Sequence, residues 1–340
     1  MQAILPDLFD IGIKKFNKIK IDIIVSCDYI KACTVGKRCA KLKVTNRLKA
    51  FNGEKRGENK MKRVIACIDS SPCVNAVAEA AAWVAKQTQR ELVLLQVLDY
   101  YPASYHLGEI SGVIGFESNA MLLKELAELE QKQSELALNY SNNLLDHISE
   151  MIQQKYALTA SHLQEKGDFL EQSFNVLRDD DIAIIGRVGE RSAERNKPIG
   201  SNVENFIRGV NCTVMTVGEN FKPPTRFIFA YEYSPTCINL MKRIAQSDLL
   251  RLLQCHVLYV GDHPEILNEP AQYLRNAGLD VVMEYRYGDV SENILEYQSE
   301  HEIQLIVLGA FSHSKIHQFF LGSVATTIFR NSTVPLLVVK

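Results

Sequence analysis

No stretch of this 340-residue chain approaches the roughly 18 consecutive apolar residues needed to cross a bilayer, and no charged, apolar, small-residue signal pattern opens it. No membrane partner is expected, and a cytoplasmic location is. Neither sign of charge dominates, with 38 Lys/Arg against 40 Asp/Glu, so a nucleic-acid footprint over the whole chain is not expected. The eight cysteines (Cys27, Cys33, Cys39, Cys67, Cys73, Cys212, Cys237 and Cys255) include no CxxC pair of a zinc or redox site. No metal site is expected from them. Cys67 and Cys255 lie beside or within apolar runs and read as small core hydrophobes in a reducing compartment. Also missing are Gly-x4-Gly-Lys-Ser/Thr, which removes a motor or switch NTPase, and the Gly-x-Ser-x-Gly elbow of a hydrolase. Ser312, His313, Ser314, Lys315 and His317 have no placed acid partner and read as a solvated loop, so no catalytic residue is assigned.

What the chain does contain, it contains twice. Gly186-Arg187-Val188-Gly189 followed by Gly200-Ser201-Asn202 is matched by Gly309-Ala310-Phe311-Ser312 followed by Gly322-Ser323-Val324. Each copy is flanked by short apolar runs, residues 182–185 and 213–217 in one, 305–308 and 334–339 in the other. Upstream, the run from Arg63 through Asp69 to Pro72 aligns without a gap to the run from Arg226 through Glu232 to Pro235. Between these landmarks, Lys166-Gly167-Asp168 corresponds to Tyr287-Gly288-Asp289. Three landmarks in one order mean an internal duplication, with units at 61–219 and 224–340. Each is large enough for its own core.

Residues 1–60 match neither unit. They hold 14 Lys/Arg and 6 Asp/Glu, leaving 24 against 34 for the rest, so the leader is basic and the repeats are acidic. Met61 immediately precedes the first strand of the first repeat. The leader is read as a start placed too far upstream or a disordered extension, with a basic membrane-surface or nucleic-acid arm as the alternative.

Within each repeat, apolar runs alternate with helical spacing. Residues 64–68 form a continuous apolar run that ends in Asp69-Ser70-Ser71-Pro72, the pattern of a buried parallel strand running into a turn. Ala76, Val77, Ala80, Trp83 and Val84 then recur at helical spacing, and residues 92–98 supply a second strand. After a long loop at 99–120, Leu122, Leu126, Leu129, Tyr140, Leu144, Ile148 and Met151 mark a long amphipathic helix over 121–153, read as a cover with a secondary role in oligomerisation. Alternating strands and helices give the expected fold class: α/β, two tandem doubly wound, Rossmann-like parallel-sheet domains. The second repeat is shorter: Arg63 to Gly186 is 123 residues but Arg226 to Gly309 is 83, and the missing 40 fall mainly after the second strand.

In such a sheet, ligands bind outside the carboxyl ends of the strands, where the strand order switches. Asp69 and Gly186, and Glu232 and Gly309, are expected there. Glycine lets the backbone approach an anion, and the start of the following helix offers free N–H groups to phosphate. The hydroxyl of Ser201 or Ser323 adds a donor, and the Asp69 carboxylate can accept from an adenine amino group or a ribose hydroxyl. Two plainer readings stand beside these: Asp69-Ser70-Ser71 as a helix N-cap, and Gly186 as a tight turn.

The order strand-Asp-Ser, Gly-Asp before a helix, Gly-x2-Gly, a spacer of about ten, Gly-Ser and an apolar last strand resembles the universal stress protein family, in its tandem form, over nearly all of 61–340. The resemblance implies an ATP site in the first repeat, with Mg2+ accompanying the nucleotide. Asp69 would meet the adenine and Val97 would offer its backbone to the base. Gly186, Arg187, Gly189, Gly200, Ser201 and Asn202 would hold ribose and phosphates. Ten residues, 190–199, separate Gly189 from Gly200 where the family pattern has nine. The second repeat keeps nine, 313–321, but has Ser312 for the second glycine and Glu232 for the aspartate. A serine at a position needing positive φ would be strained, so the pocket of Glu232, Gly309, Ser312, Gly322 and Ser323 is read as degenerate. Phe227, Phe229, Tyr231 and Tyr259 are read as core, with an apolar ligand as the alternative. The family's last strands pair across a dimer, which implies that the two repeats here pair within one chain, with a further homodimer open. The expected work is non-catalytic: ligand state alters a surface offered to an unidentified protein. A ligand-free scaffold and a slow ATP hydrolase are the alternatives.

Overall fold

The computed structural model describes residues 61–98, 116–189, 201–309 and 323–340. The leader and its alternative readings lie outside these residues. Ten strands form one sheet: β1 (Arg63–Ile68), β2 (Glu91–Leu98), β3 (Ala160–Lys166), β4 (Ile182–Gly186), β5 (Thr213–Val217), β6 (Arg226–Ala230), β7 (Gln254–Val260), β8 (Val281–Arg286), β9 (Leu305–Gly309) and β10 (Leu336–Val339). Their order is β3-β2-β1-β4-β5-β10-β9-β6-β7-β8. Read outward from the centre, the two halves repeat one topology, so the duplication in sequence is a duplication in space.

Neighbouring strands are parallel within each half. The exception joins the halves: β10 runs antiparallel to β5, with Leu336 opposite Thr216, Leu337 opposite Met215 and Val338 opposite Val214. Short, uncharged, apolar strands of this kind leave a sticky edge when unpaired, and here each covers the other.

Parallel neighbours require crossover connections, and helices supply them. They are α1 (Val74–Thr88), α2 (Phe116–Tyr156), α3 (Phe169–Val176), α4 (Ser201–Gly209), α5 (Pro235–Gln246), α6 (Asn268–Asn276), α7 (Val290–Glu300) and α8 (Ser323–Asn331). One face of the sheet is covered by α1, α2, α5 and α6, the other by α3, α4, α7 and α8. Both cores run across the β5–β10 junction: Met215 and Leu337 belong to one, Val214, Leu336 and Val338 to the other. Phe227, Phe229 and Tyr231 are buried core residues.

The length difference between the repeats falls where the landmarks put it. After β2 the chain builds α2, of 41 residues. After β7 it builds a single-turn 3-10 helix (Pro264–Leu267) and the nine residues of α6. The carboxyl-terminal part of α2 packs Leu145, Ile148, Ile152 and Tyr156 into the core, whereas every described side chain in residues 124–140 is exposed.

Candidate functional site

The strand order reverses about β1, which has β2 on one side and β4 on the other. The crevice of such a sheet lies beyond the carboxyl ends of β1 and β4. Ala66 pairs with Ile184, so Asp69, just past β1, and Gly186, ending β4, are brought to the same edge. Asp69 is half-buried; its Oδ1 accepts the Ser71 N–H at 3.1 Å. Ser71 Oγ in turn accepts the Cys73 N–H at 3.3 Å. These two side-chain turns lead the chain into α1, whose N-cap position is Cys73. Asp69 is therefore not the N-cap of α1.

The loop after β4 returns to that carboxylate. A Cβ placed on Gly189 would lie 3.6 Å from Asp69 Oδ2, an ordinary van der Waals separation. The Gly189 backbone is outside the positive-φ region. Ser312, with Gly200 and Gly322, lies outside the described residues. Gly186 has a packing reason to be glycine: a Cβ there would come within 2.8 Å of Cys73 Cβ. Gly309 repeats this in milder form, with a Cβ meeting Leu240 Cδ2 of α5 at 3.3 Å.

Arg187 directly follows β4. Its N–H donates to the Val217 carbonyl at 2.7 Å, and its guanidinium crosses to the second repeat. There Nη2 donates to the Val334 carbonyl at 2.6 Å and Nη1 to the Ser332 carbonyl. The residue is 8% exposed, and burial holds its pKa below the usual arginine value. Its side chain is a link between the repeats. Nothing in the local sequence signalled this, because the acceptors are backbone carbonyls some 145 residues away. Cys73 was also missed; burial and the nearby Asp69 and Glu219 carboxylates push its thiol upward, against backbone N–H groups of Val188 and Arg187.

Val97 lies half-buried near the end of β2, opposite Glu165. Ser201 opens α4 with Asn202 exposed in its first turn, and exposed Ser323 opens α8. In the second repeat Ser234 caps α5, accepting the Cys237 N–H at 3.2 Å and donating to Glu232 Oε1 at 2.9 Å. Glu232 is exposed, with its carboxylate drawn onto its own helix cap. A cavity of about 260 Å³ opens at the other end of the first repeat's strands, where Lys62 and Arg90 meet Arg243 and Asp248 of the second. Its mixed charge selects no ligand class. Among the described residues no group of three or more His, Cys, Asp or Glu is placed to hold a metal ion, and no helix is long and apolar enough to cross a membrane.

A family model described as the universal stress protein family matches residues 256–340. Over 284 residues the chain is 28% identical to the universal stress protein Slr1230 of Synechocystis sp., spanning 82% of this chain and 99% of that protein. The chain is similar to the universal stress protein family. A crystal structure of a universal stress protein from Archaeoglobus fulgidus superposes with a TM-score of 0.60 at 17% identity, covering 83% of this chain and 99% of that one. A second structure, from Pseudomonas aeruginosa, matches with a TM-score of 0.53 at 14% identity over 83% of this chain and 94% of that one. At these identities the likeness is one of fold. Both matched chains are covered nearly end to end, so a chain of this size carries the universal stress protein fold over both of its halves.

Proposed function

We propose that this chain is a universal stress protein that binds an adenine nucleotide, ATP by preference, at the carboxyl edge of β1 and β4 in its first repeat, and that the second repeat has lost the equivalent site. The observation that carries the reading is the approach of Gly189 to Asp69: a carboxylate at the strand end has a side-chain-free backbone beside it, the kind of surface that a base or ribose can approach. In the second repeat the equivalent carboxylate is one methylene longer and bonded to its own cap serine. Asp69 would accept from the base or ribose, and Val97 would present backbone to the base. The start of α4, with Ser201 and Asn202, would face the phosphates. Bound Mg2+ would come with the nucleotide and neutralise phosphate charge.

Binding without dedicated chemistry suits a sensor: the ligand changes a surface that a protein partner reads. The test is calorimetric titration of the full chain with ATP, ADP and AMP, repeated on Asp69→Ala. Binding at one nucleotide per chain that weakens at least tenfold in the variant is expected. A featureless titration of the unaltered protein would overturn the reading in favour of a scaffold. That second reading has its own support: Gly186 packs on Cys73 and the Arg187 side chain joins the repeats, so two members of the loop already have structural work. Hydrolysis that persists through purification and disappears in Asp69→Ala would make the protein a slow ATPase.

A further inference from the structure

The two outer strands of the sheet are counterparts, yet they treat their exposed face differently. Aligned on the Gly167 and Gly288 landmarks, His162, Gln164 and Lys166 of β3 correspond to Met283, Tyr285 and Tyr287 at β8. In the first repeat α2 covers this face: Ser149 Oγ lies 2.7 Å from His162 Nε2, and Gln164 Nε2 donates to Ser141 Oγ at 2.7 Å and to Asn142 Oδ1 at 3.1 Å. In the shortened second repeat Met283, Tyr285 and Tyr287 are 39%, 47% and 62% exposed, and the two tyrosine rings meet edge to face at 5.9 Å. The backbone beside them is open as well. The carbonyls of Asp280 and Arg286 turn inward to the N–H groups of Cys255 and Gly261. Backbone groups alternate sides along a strand, so those of Val281, Met283 and Tyr285 point away from β7. Among the described residues no strand pairs with that edge, although Arg275 Nη2 donates to the Val281 carbonyl at 3.0 Å. Edges are ordinarily guarded by charge, as Glu165 and Lys166 guard β3, but β8 presents a methionine and two tyrosines.

We infer that β8 pairs antiparallel with β8 of a second copy about a two-fold axis at Tyr285, joining the two sheets edge to edge. The register follows from the residues. Centred on Tyr285, the outward backbone groups of this residue exchange hydrogen bonds with the same groups of the other copy, and Met283 lies opposite Tyr287 on the exposed face. On the other face Glu284 lies opposite Arg286, twice over. That guanidinium is already held in place by Glu300 and by the Tyr297 ring, whose centroid is 4.9 Å away. Centring on Glu284 would set two glutamates against each other, and centring on Arg286 two arginines. Centring on Met283 would bring Tyr285 to Val281, whose outward carbonyl Arg275 occupies, and would leave Tyr287 outside the paired strands. With the axis at Tyr285, every member of the exposed stripe finds its partner in the same stripe and opposite charges meet. This self-complementarity is what a two-fold interface between identical chains requires. The contact is confined to one strand from each copy, so the interface is smaller than a standard one and the dimer should form at micromolar concentration.

Sedimentation velocity of the full chain across that range tests the proposal. The expected result is a concentration-dependent rise from 38.4 kDa to twice that mass. Tyr285→Pro removes the N–H at the centre of the new ladder, a group that takes no part in pairing with β7, so it should abolish the rise while leaving circular dichroism unchanged. Met283→Lys, a change confined to an exposed side chain, and Glu284→Arg should each weaken the dimer at least tenfold. The Cα atoms of a hydrogen-bonded antiparallel pair lie about 5.5 Å apart, within disulfide reach. Mild oxidation of Tyr285→Cys should therefore link two copies through residue 285, as located by peptide mapping. Three outcomes would overturn the proposal: a monomer at 100 times the expected concentration, a dimer indifferent to Tyr285→Pro or to Met283→Lys, or an oxidised Tyr285→Cys dimer without the link at residue 285.

Discussion

Asp181 shows how differently the two repeats hold the same joint. Its carboxylate is completely buried and accepts from Arg63 Nε at 3.1 Å, Arg63 Nη2 at 2.6 Å and the Arg178 N–H at 2.9 Å. This anchors the start of β1 to the start of β4. In the second repeat the equivalent residue is Gln304, whose Oε1 accepts the Thr225 N–H at 3.0 Å and the Arg226 N–H at 3.2 Å, while Arg226 Nη1 turns to the His301 carbonyl at 3.0 Å. Removing one member of a buried ion pair leaves the other charged and unpartnered, which costs far more than losing a neutral hydrogen bond. Asp181→Ala should therefore lower the unfolding free energy by roughly 3–5 kcal/mol, and Gln304→Ala by about 1 kcal/mol. Urea denaturation of the two variants side by side checks the ordering.

Helices α3 and α7 begin with the same device. Gly167 and Gly288 have φ of +132° and +105°, a region that favours glycine. The next residue caps: Asp168 Oδ1 accepts the Glu171 N–H at 3.0 Å, and Asp289 Oδ1 the Glu292 N–H at 2.9 Å. Hydrogen bonds from the Ser291 hydroxyl and the Glu292 N–H hold the Asp289 carboxyl below its usual pKa. A depressed carboxylate contributes stability above its unfolded value, about 3.9, and loses it as pH falls through the folded one. The melting temperature of Asp289→Ala should thus lie below that of the unaltered protein at neutral pH, with the gap closing in melts taken below about pH 4. The Gly-Asp landmark was legible in sequence because both of its causes are local: a backbone conformation and a cap three residues long. So were the parallel strands and the shortened second repeat, since apolar runs and spacings are local too. The buried guanidinium of Arg187 was not, because its partners belong to another element. The 41 residues of α2 were underestimated at both ends, since polar positions in the exposed part blur an amphipathic pattern.

Across the whole molecule, the junction of the halves is core and not hinge. Both apolar cores continue through β5 and β10, and Phe221 of the connecting segment packs on Trp83 of α1 with ring centroids 6.0 Å apart. Residues Lys60–Lys340 accordingly form one compact unit. Trp83 is the single tryptophan and reports on the first repeat alone, whereas circular dichroism reports on both. The two signals should lose structure at the same urea midpoint, within 0.2 M or so on the usual slope for a chain of this size. Separate midpoints would mean that the repeats fold independently. The position of β10 has a further consequence, in time. It fills the centre of the sheet, beside β5, yet it follows β5 by about 120 residues in the chain. At ribosomal elongation rates that interval is on the order of ten seconds. Throughout it the nascent first repeat carries an open apolar edge, and the middle of the finished sheet is the last place in it to close.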